Sequence, residues 1–337
     1  MLKYFVTIKK VGALTRDTLE QHQISIYFVA IVIAVIAGLL SPSFASTSGS
    51  LVNPAIAVLM YAMFLQIPFL SLHAAIANRR FLGALLLANF VLIPLLVWGL
   101  TLHLSEHRAI MVGALLVLLA PCIDYVVVFT YLGKGDSKLV LSATPILLLL
   151  QLVLLPIYLG VMIGSDLEVT ISVAPFFEAF LLFIAAPLVL AVLTELLLGR
   201  SHVVRVWNDI WAWLPVPAMA AVLIVVVGSQ IAPIAKDASM LIPVLPVYIA
   251  FLVFAPMLGA FAARLFRLAA PAARAVTFSS STRNSLVVLP LALALPENLR
   301  GLAAAAVITQ TMVELIGELF YLRVIPAFIW RKSSDSA

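Results

Sequence analysis

Cys122 and Asp124 stand two positions apart behind Pro121, inside an apolar run, and bring the chain's one thiol and a carboxylate to a single point. A thiol takes soft metalloids, and a carboxylate takes protons or cations. A second candidate is the polar stretch Ser279-Ser280-Ser281-Thr282-Arg283-Asn284-Ser285, whose hydroxyls, guanidinium and amide suit oxygen-rich solutes and anions. A third is the set Gln310, Glu314, Gly317 and Glu318, which the spacing places on one stripe of a helix. Elsewhere the chemistry thins out. The five histidines, His22, His73, His103, His107 and His202, share no spacing, and no nucleophile, base and orienting acid fall together. With one cysteine, neither an internal disulfide nor a zinc or iron–sulfur site can form, so the sequence predicts no metal, no cofactor and no enzyme.

These residues lie in a medium that makes them costly. The chain has 337 residues, is 64% apolar and only 10% charged, and has a mean hydropathy of +1.19. A soluble domain carries about 25% charge. The composition therefore excludes a soluble protein and points to a multi-pass membrane protein, with the lipid bilayer as its main partner. The basic residues sit in short links rather than on a polar face, which excludes nucleic acid as a partner.

Ten apolar runs are long enough for a hydrocarbon core of roughly 30 Å at 1.5 Å per residue. They fall near 24–46, 52–72, 81–104, 109–132, 139–164, 173–198, 214–235, 240–267, 271–296 and 299–330. Their length and lack of a two-residue period predict an all-α fold rather than a barrel. With the N-terminus inside, 16 of the 20 Lys and Arg residues face the cytoplasm, which predicts cytoplasmic termini and the plasma (inner) membrane. A cleavable secretory signal over 1–45 is the competing reading of the first run. Residues 1–23 read as a cytoplasmic segment, either an interfacial helix or a disordered tail, and 331–337 as a cytoplasmic tail.

Five runs per half give two five-helix repeats, 24–164 and 173–330, of opposite sense, the plan of many secondary transporters. Runs 4 and 9 align through Tyr125-Val126-Val127-Val128-Phe129 and Ser285-Leu286-Val287-Val288-Leu289, and both are interrupted, by Pro121 and by the polar stretch. Two discontinuous helices crossing at the midplane bring half-helix termini and freed carbonyls to one point, the predicted site. Asp124 and Arg283 then lie close enough to pair, either structurally or as part of ion coupling. Glu318 reads as a partner for Arg323, Glu314 as a central acid, and Glu178 and Glu195 as residues reaching the membrane surface.

Several short motifs add a resemblance: Asn53-Pro54, Met60-Tyr61-Ala62-Met63-Phe64-Leu65-Gln66, Ala120-Pro121-Cys122, Lys134-Gly135-Asp136 and Thr282-Arg283-Asn284-Ser285. Together they resemble the arsenical-resistance permeases of the bile acid/sodium symporter superfamily. The resemblance implies a panel domain from spans 1, 2, 6 and 7 on a core domain from spans 3 to 5 and 8 to 10, with spans 4 and 9 crossing in the core. It implies arsenite efflux with Cys122 as a transport residue and Ser281, Thr282, Arg283 and Asn284 beside the solute. It departs at Ser285-Leu286-Val287, where arsenite exporters have a glutamate, and at Ser279 and Arg283, where sodium-coupled members have Glu and Gln. The coupling group would then be Asp124 or Glu314, with a proton favoured over sodium as coupling ion. The alternative is a sodium-coupled symporter of an organic anion, with Arg283 as the carboxylate contact.

Overall fold

The computed structural model describes residues 16–67, 78–123, 125–163, 178, 181–236 and 238–329, and among them the fold is helical. Helix α1 spans Arg16–Leu40 and α2 spans Pro42–Phe64. They meet earlier than the apolar pattern predicts, at Ser41-Pro42. Ser41 Oγ accepts from the Phe44 N–H at 3.3 Å and Pro42 opens the helix, a start signal that outweighs the polar run 46–50 used to divide the spans. Helix α3 runs from Arg79 to Leu104, α4 over Arg108–Leu118, α5 over Val126–Leu132 and α6 over Ser137–Ile163. In the second half, α7 spans Ala186–Leu197, α8 His202–Trp211, α9 Pro215–Lys236, and α10 Leu245–Leu265 after a 3-10 turn. Then come α11 over Ala270–Ser281, α12 over Ser285–Leu293 and α13 over Glu297–Val324. Five helices among the described residues are long and apolar enough to cross a membrane, or six if α8 and α9, bent by 49°, count as one. Shorter apolar stretches lie at Ser25–Leu40 of α1, in α4 and in α7.

The helices pack in two groups. α1, α2, α7 and α9 pack on one another, and α3 to α6 pack with α10 to α13. In the second group two carbonyls facing prolines are satisfied by tyrosines. Pro94 cannot donate to Phe90, which lies in a π-helical turn at Ala88–Leu92, and the Tyr158 hydroxyl donates to that carbonyl at 2.6 Å. Pro256 likewise frees the Leu252 carbonyl, which accepts from the Tyr321 hydroxyl at 2.6 Å. Both kinked helices thereby stay dry inside the bundle.

Close backbone approach sets the position of α4. A Cβ on Gly113 would lie 2.4 Å from the Ala303 carbonyl oxygen and 2.9 Å from its Cα, so α4 and α13 touch backbone to backbone. Gly113→Leu is expected to force the two helices apart and to lower stability by at least about 1–3 kcal/mol. Gly160→Leu, where an added Cβ meets nothing within 4 Å, is the control. Thermal unfolding of the two variants in detergent compares them directly, and equal midpoints would refute the close contact.

Helix α8 buries no residue in the protein, while Val203, Trp207 and Ile210 are exposed. Its amphipathic pattern and two tryptophans suit the membrane interface. The Trp207 indole donates to the Tyr61 hydroxyl at 3.0 Å, which ties α8 to α2.

Candidate functional site

Runs 4 and 9 are both broken in the structure, and the breaks meet. α4 stops at Leu118, and the chain resumes helix at Val126; α11 stops at Ser281, and α12 begins at Ser285. Pro121 and Arg283 form an isolated antiparallel bridge. Its two hydrogen bonds run through the flanking residues: the Asn284 N–H donates to the Ala120 carbonyl at 2.8 Å and the Cys122 N–H to the Thr282 carbonyl at 3.1 Å. Pro121 thus occupies the non-hydrogen-bonded position of the pair, where its missing N–H costs nothing. Asn284 also caps α12, its side-chain oxygen accepting from the Val287 N–H at 3.2 Å. A second tie joins the outer ends of the same two runs, where the Asp136 N–H donates to the Pro271 carbonyl at 2.9 Å and Arg274 Nη1 to the Lys134 carbonyl at 3.1 Å.

Arg283 is fully buried at this bridge. Its Nη2 donates to Asn89 Oδ1 at 2.8 Å and to the Ser279 carbonyl at 2.7 Å, Nη1 reaches the Leu118 carbonyl at 3.4 Å, and the guanidinium lies 5.5 Å from the centre of the Phe251 ring. The backbone N–H of Arg283 donates instead to Glu314 Oε2 at 2.9 Å. That oxygen also accepts from Gln310 Nε2 at 2.5 Å, while Glu314 Oε1 lies 2.6 Å from the Tyr125 hydroxyl. Tyr125 is 2.9 Å from the Arg283 carbonyl as well. A phenol has one proton, so it serves these two acceptors in turn. It donates to Glu314 when that carboxylate is ionised, and to the Arg283 carbonyl when Glu314 itself carries a proton and donates to the phenol.

Glu318 departs from its expected place. Its side chain is fully buried and accepts from the Thr282 hydroxyl at 2.7 Å, whereas Arg323 is exposed. Helix α13 turns the Glu314 and Glu318 stripe into the core, and the short Thr282 hydroxyl gives Glu318 a nearer partner than a flexible surface cation. Five buried polar atoms around the crossing have no protein partner: Arg283 Nε, Asn284 Nδ2, Ser285 Oγ, Gln310 Oε1 and Glu318 Oε2.

A cavity of about 490 Å³ opens between α1, α2 and α9 on one side and α5 and α6 on the other. Its wall includes Arg16, Gln23, Met63, Gln66, Tyr125 and Asn208. Of the residues expected at the site, Cys122, Ser281, Thr282, Arg283 and Asn284 gather at the crossing, but all are buried and none lines this cavity. Ile123 and Tyr125 are the parts of the break that do. Asp124 lies outside the described residues. Sequence reasoning missed Asn89, Tyr125 and the Thr282 hydroxyl as the partner of Glu318. For Asn89 the available signal was a lone amide five residues before Pro94 in an otherwise apolar run.

The family model described as "Sodium Bile acid symporter family" matches residues 53–237, more than half of the chain. The chain belongs to the sodium bile acid symporter family. No curated protein matches it. The matched residues take in the break at Pro121 but stop before α10, so the polar stretch of the second break and the acids of α13 lie beyond them. As a member of the sodium bile acid symporter family, the chain is a multi-pass membrane transporter with a small solute and a coupling ion as partners. At the crossing the oxygens of Asn89, Ser279 and Leu118 accept from the Arg283 guanidinium.

Proposed function

We propose that this family member is an alternating-access secondary transporter that exports arsenite in exchange for a proton taken up from outside. In this reading ten spans form two inverted five-helix repeats in the inner membrane, with both termini cytoplasmic. The α1, α2, α7 and α9 group is a panel that rocks against the core holding the two crossed helices. The observation that carries proton coupling is the position of Tyr125. Tyr125 is one of the residues lining the cavity, and its hydroxyl is hydrogen-bonded to the buried carboxyl of Glu314. Protons in the cavity therefore have a one-hydroxyl path to the acid. Charge counting points the same way. One guanidinium neutralises one of the two carboxylates Glu314 and Glu318, and the second needs a proton to stay buried. Asp124 is the further candidate for this role.

Arsenite is favoured by the single thiol. Cys122 stands beside the cavity-lining Ile123, and one sulfur binds trivalent arsenic reversibly where three would hold it. The amide of Asn284 and the hydroxyls of Ser281 and Thr282 supply the polar side of the path, opened when the core rocks, with Arg283 fixing the turn. Everted membrane vesicles are expected to accumulate arsenite when a proton gradient is applied, and Cys122→Ser is expected to lose that accumulation. Uptake that ignores the proton gradient, or survives in Cys122→Ser, overturns the reading.

An organic anion is the second reading, and one observation favours it. The cavity volume of about 490 Å³ exceeds what arsenite needs, and Arg16 on its wall offers a cationic contact. Vesicle uptake of bulky carboxylates in place of arsenite, under the same gradients, would support it.

A further inference from the structure

The two broken helices leave specific carbonyls without helical partners. In an unbroken helix the Leu118 carbonyl would accept from the Cys122 N–H, but that donor is bonded to Thr282. The Ser279 carbonyl would accept from the Arg283 N–H, which goes to Glu314 instead. A third oxygen joins them from α3. The Asn89 amide nitrogen donates to the Leu85 carbonyl and to Ser279 Oγ, both at 3.1 Å, and this turns Oδ1 toward the crossing. Freed carbonyls and an amide oxygen, converging from three helices beside two buried carboxyls, are the donor set by which discontinuous helices hold a monovalent metal ion. Here the space between them is filled by the guanidinium of Arg283.

We propose that Arg283 is a tethered cation: its guanidinium permanently occupies an oxygen cage formed by Asn89, Ser279 and Leu118, which would otherwise take sodium. The wild-type crossing therefore binds no sodium, and shortening the side chain uncovers a latent sodium site. The guanidinium supplies positive charge beside Glu314, so it does the electrostatic work of a bound ion without leaving during the cycle. Both N–H groups of Nη2 and one of Nη1 are committed to protein oxygens, and Nε has no protein partner.

The inference concerns ion binding in the absence of any solute, so it stands or falls apart from the arsenite reading. Its test is the thermal unfolding of the full chain, purified in detergent, in choline, potassium or sodium chloride at equal ionic strength. The wild type is expected to unfold at one temperature in all three salts. Arg283→Ala is expected to unfold earlier in choline chloride and to regain several degrees in sodium chloride, saturably. Arg283→Lys, which keeps a cation, is expected to be insensitive to sodium. A sodium-specific rise in the wild type overturns the proposal, and so does a folded Arg283→Ala that ignores sodium. If Arg283→Ala cannot be purified in choline, its recovery in sodium supports the proposal and its failure in both salts refutes it.

Discussion

Glu314→Gln is expected to abolish the proposed proton-driven accumulation while leaving a folded protein. One charge moving inward through 100 mV supplies about 2.3 kcal/mol, and at about 1.4 kcal/mol per decade this sustains roughly a fifty-fold gradient of a neutral solute. A glutamine fills the same space and keeps one oxygen that accepts from the Arg283 N–H and Gln310. It cannot exchange a proton through Tyr125. The accumulation ratio in everted vesicles is therefore expected to fall from about fifty-fold to about one. Solute is still expected to equilibrate across the membrane, because Glu314 is not among the residues of the cavity wall. Retention of a steep, gradient-dependent accumulation ratio in Glu314→Gln would remove this acid from coupling and leave Asp124 as the candidate.

The positions of the two breaks were legible in the sequence because their signals are local. Pro121 removes a donor, and a run of seven polar residues cannot lie against lipid, wherever the rest of the chain goes. The clustering of Cys122 with Thr282, Arg283 and Asn284 followed from placing those breaks at matching points. What Arg283 binds was not legible. Asp124 was the expected partner by charge, but the described partners of the guanidinium are Asn89 and two carbonyls, neutral groups whose availability depends on which backbone donors the crossing diverts. Asn89 faces inward within a π-helical turn of α3, and no 3.6-residue pattern announces such a turn. Glu318 failed for the opposite reason. An arginine five residues along the same helix is an obvious partner in sequence, whereas Thr282 is close only after α11 and α13 have packed. The boundary between α1 and α2 shows that a cap followed by proline is a sharper marker than a dip in hydropathy.

Arg283→Met measures how strongly the crossing depends on its cation. The thioether chain refills much of the volume of the arginine stem, so packing changes less than charge, and no hollow is left for sodium. What is lost is the buried guanidinium whose charge acts on Glu314, together with the donors to Asn89, Ser279 and Leu118. Removing one side of a buried charge arrangement costs about 3–5 kcal/mol, because the remaining charge is left without compensation. Arg283→Met is therefore expected to lose about 3–5 kcal/mol of stability in choline chloride, with no recovery in sodium. Glu314→Gln in the same chain should return part of that loss, since it removes the acid the cation served. The double variant then lies above the sum of the two single changes by about 0.5–3 kcal/mol. Denaturant unfolding of the four proteins of this cycle in detergent gives the coupling term. If it is zero, the guanidinium and the Glu314 carboxyl are independent, and Arg283 serves only to tie three helices together through neutral oxygens.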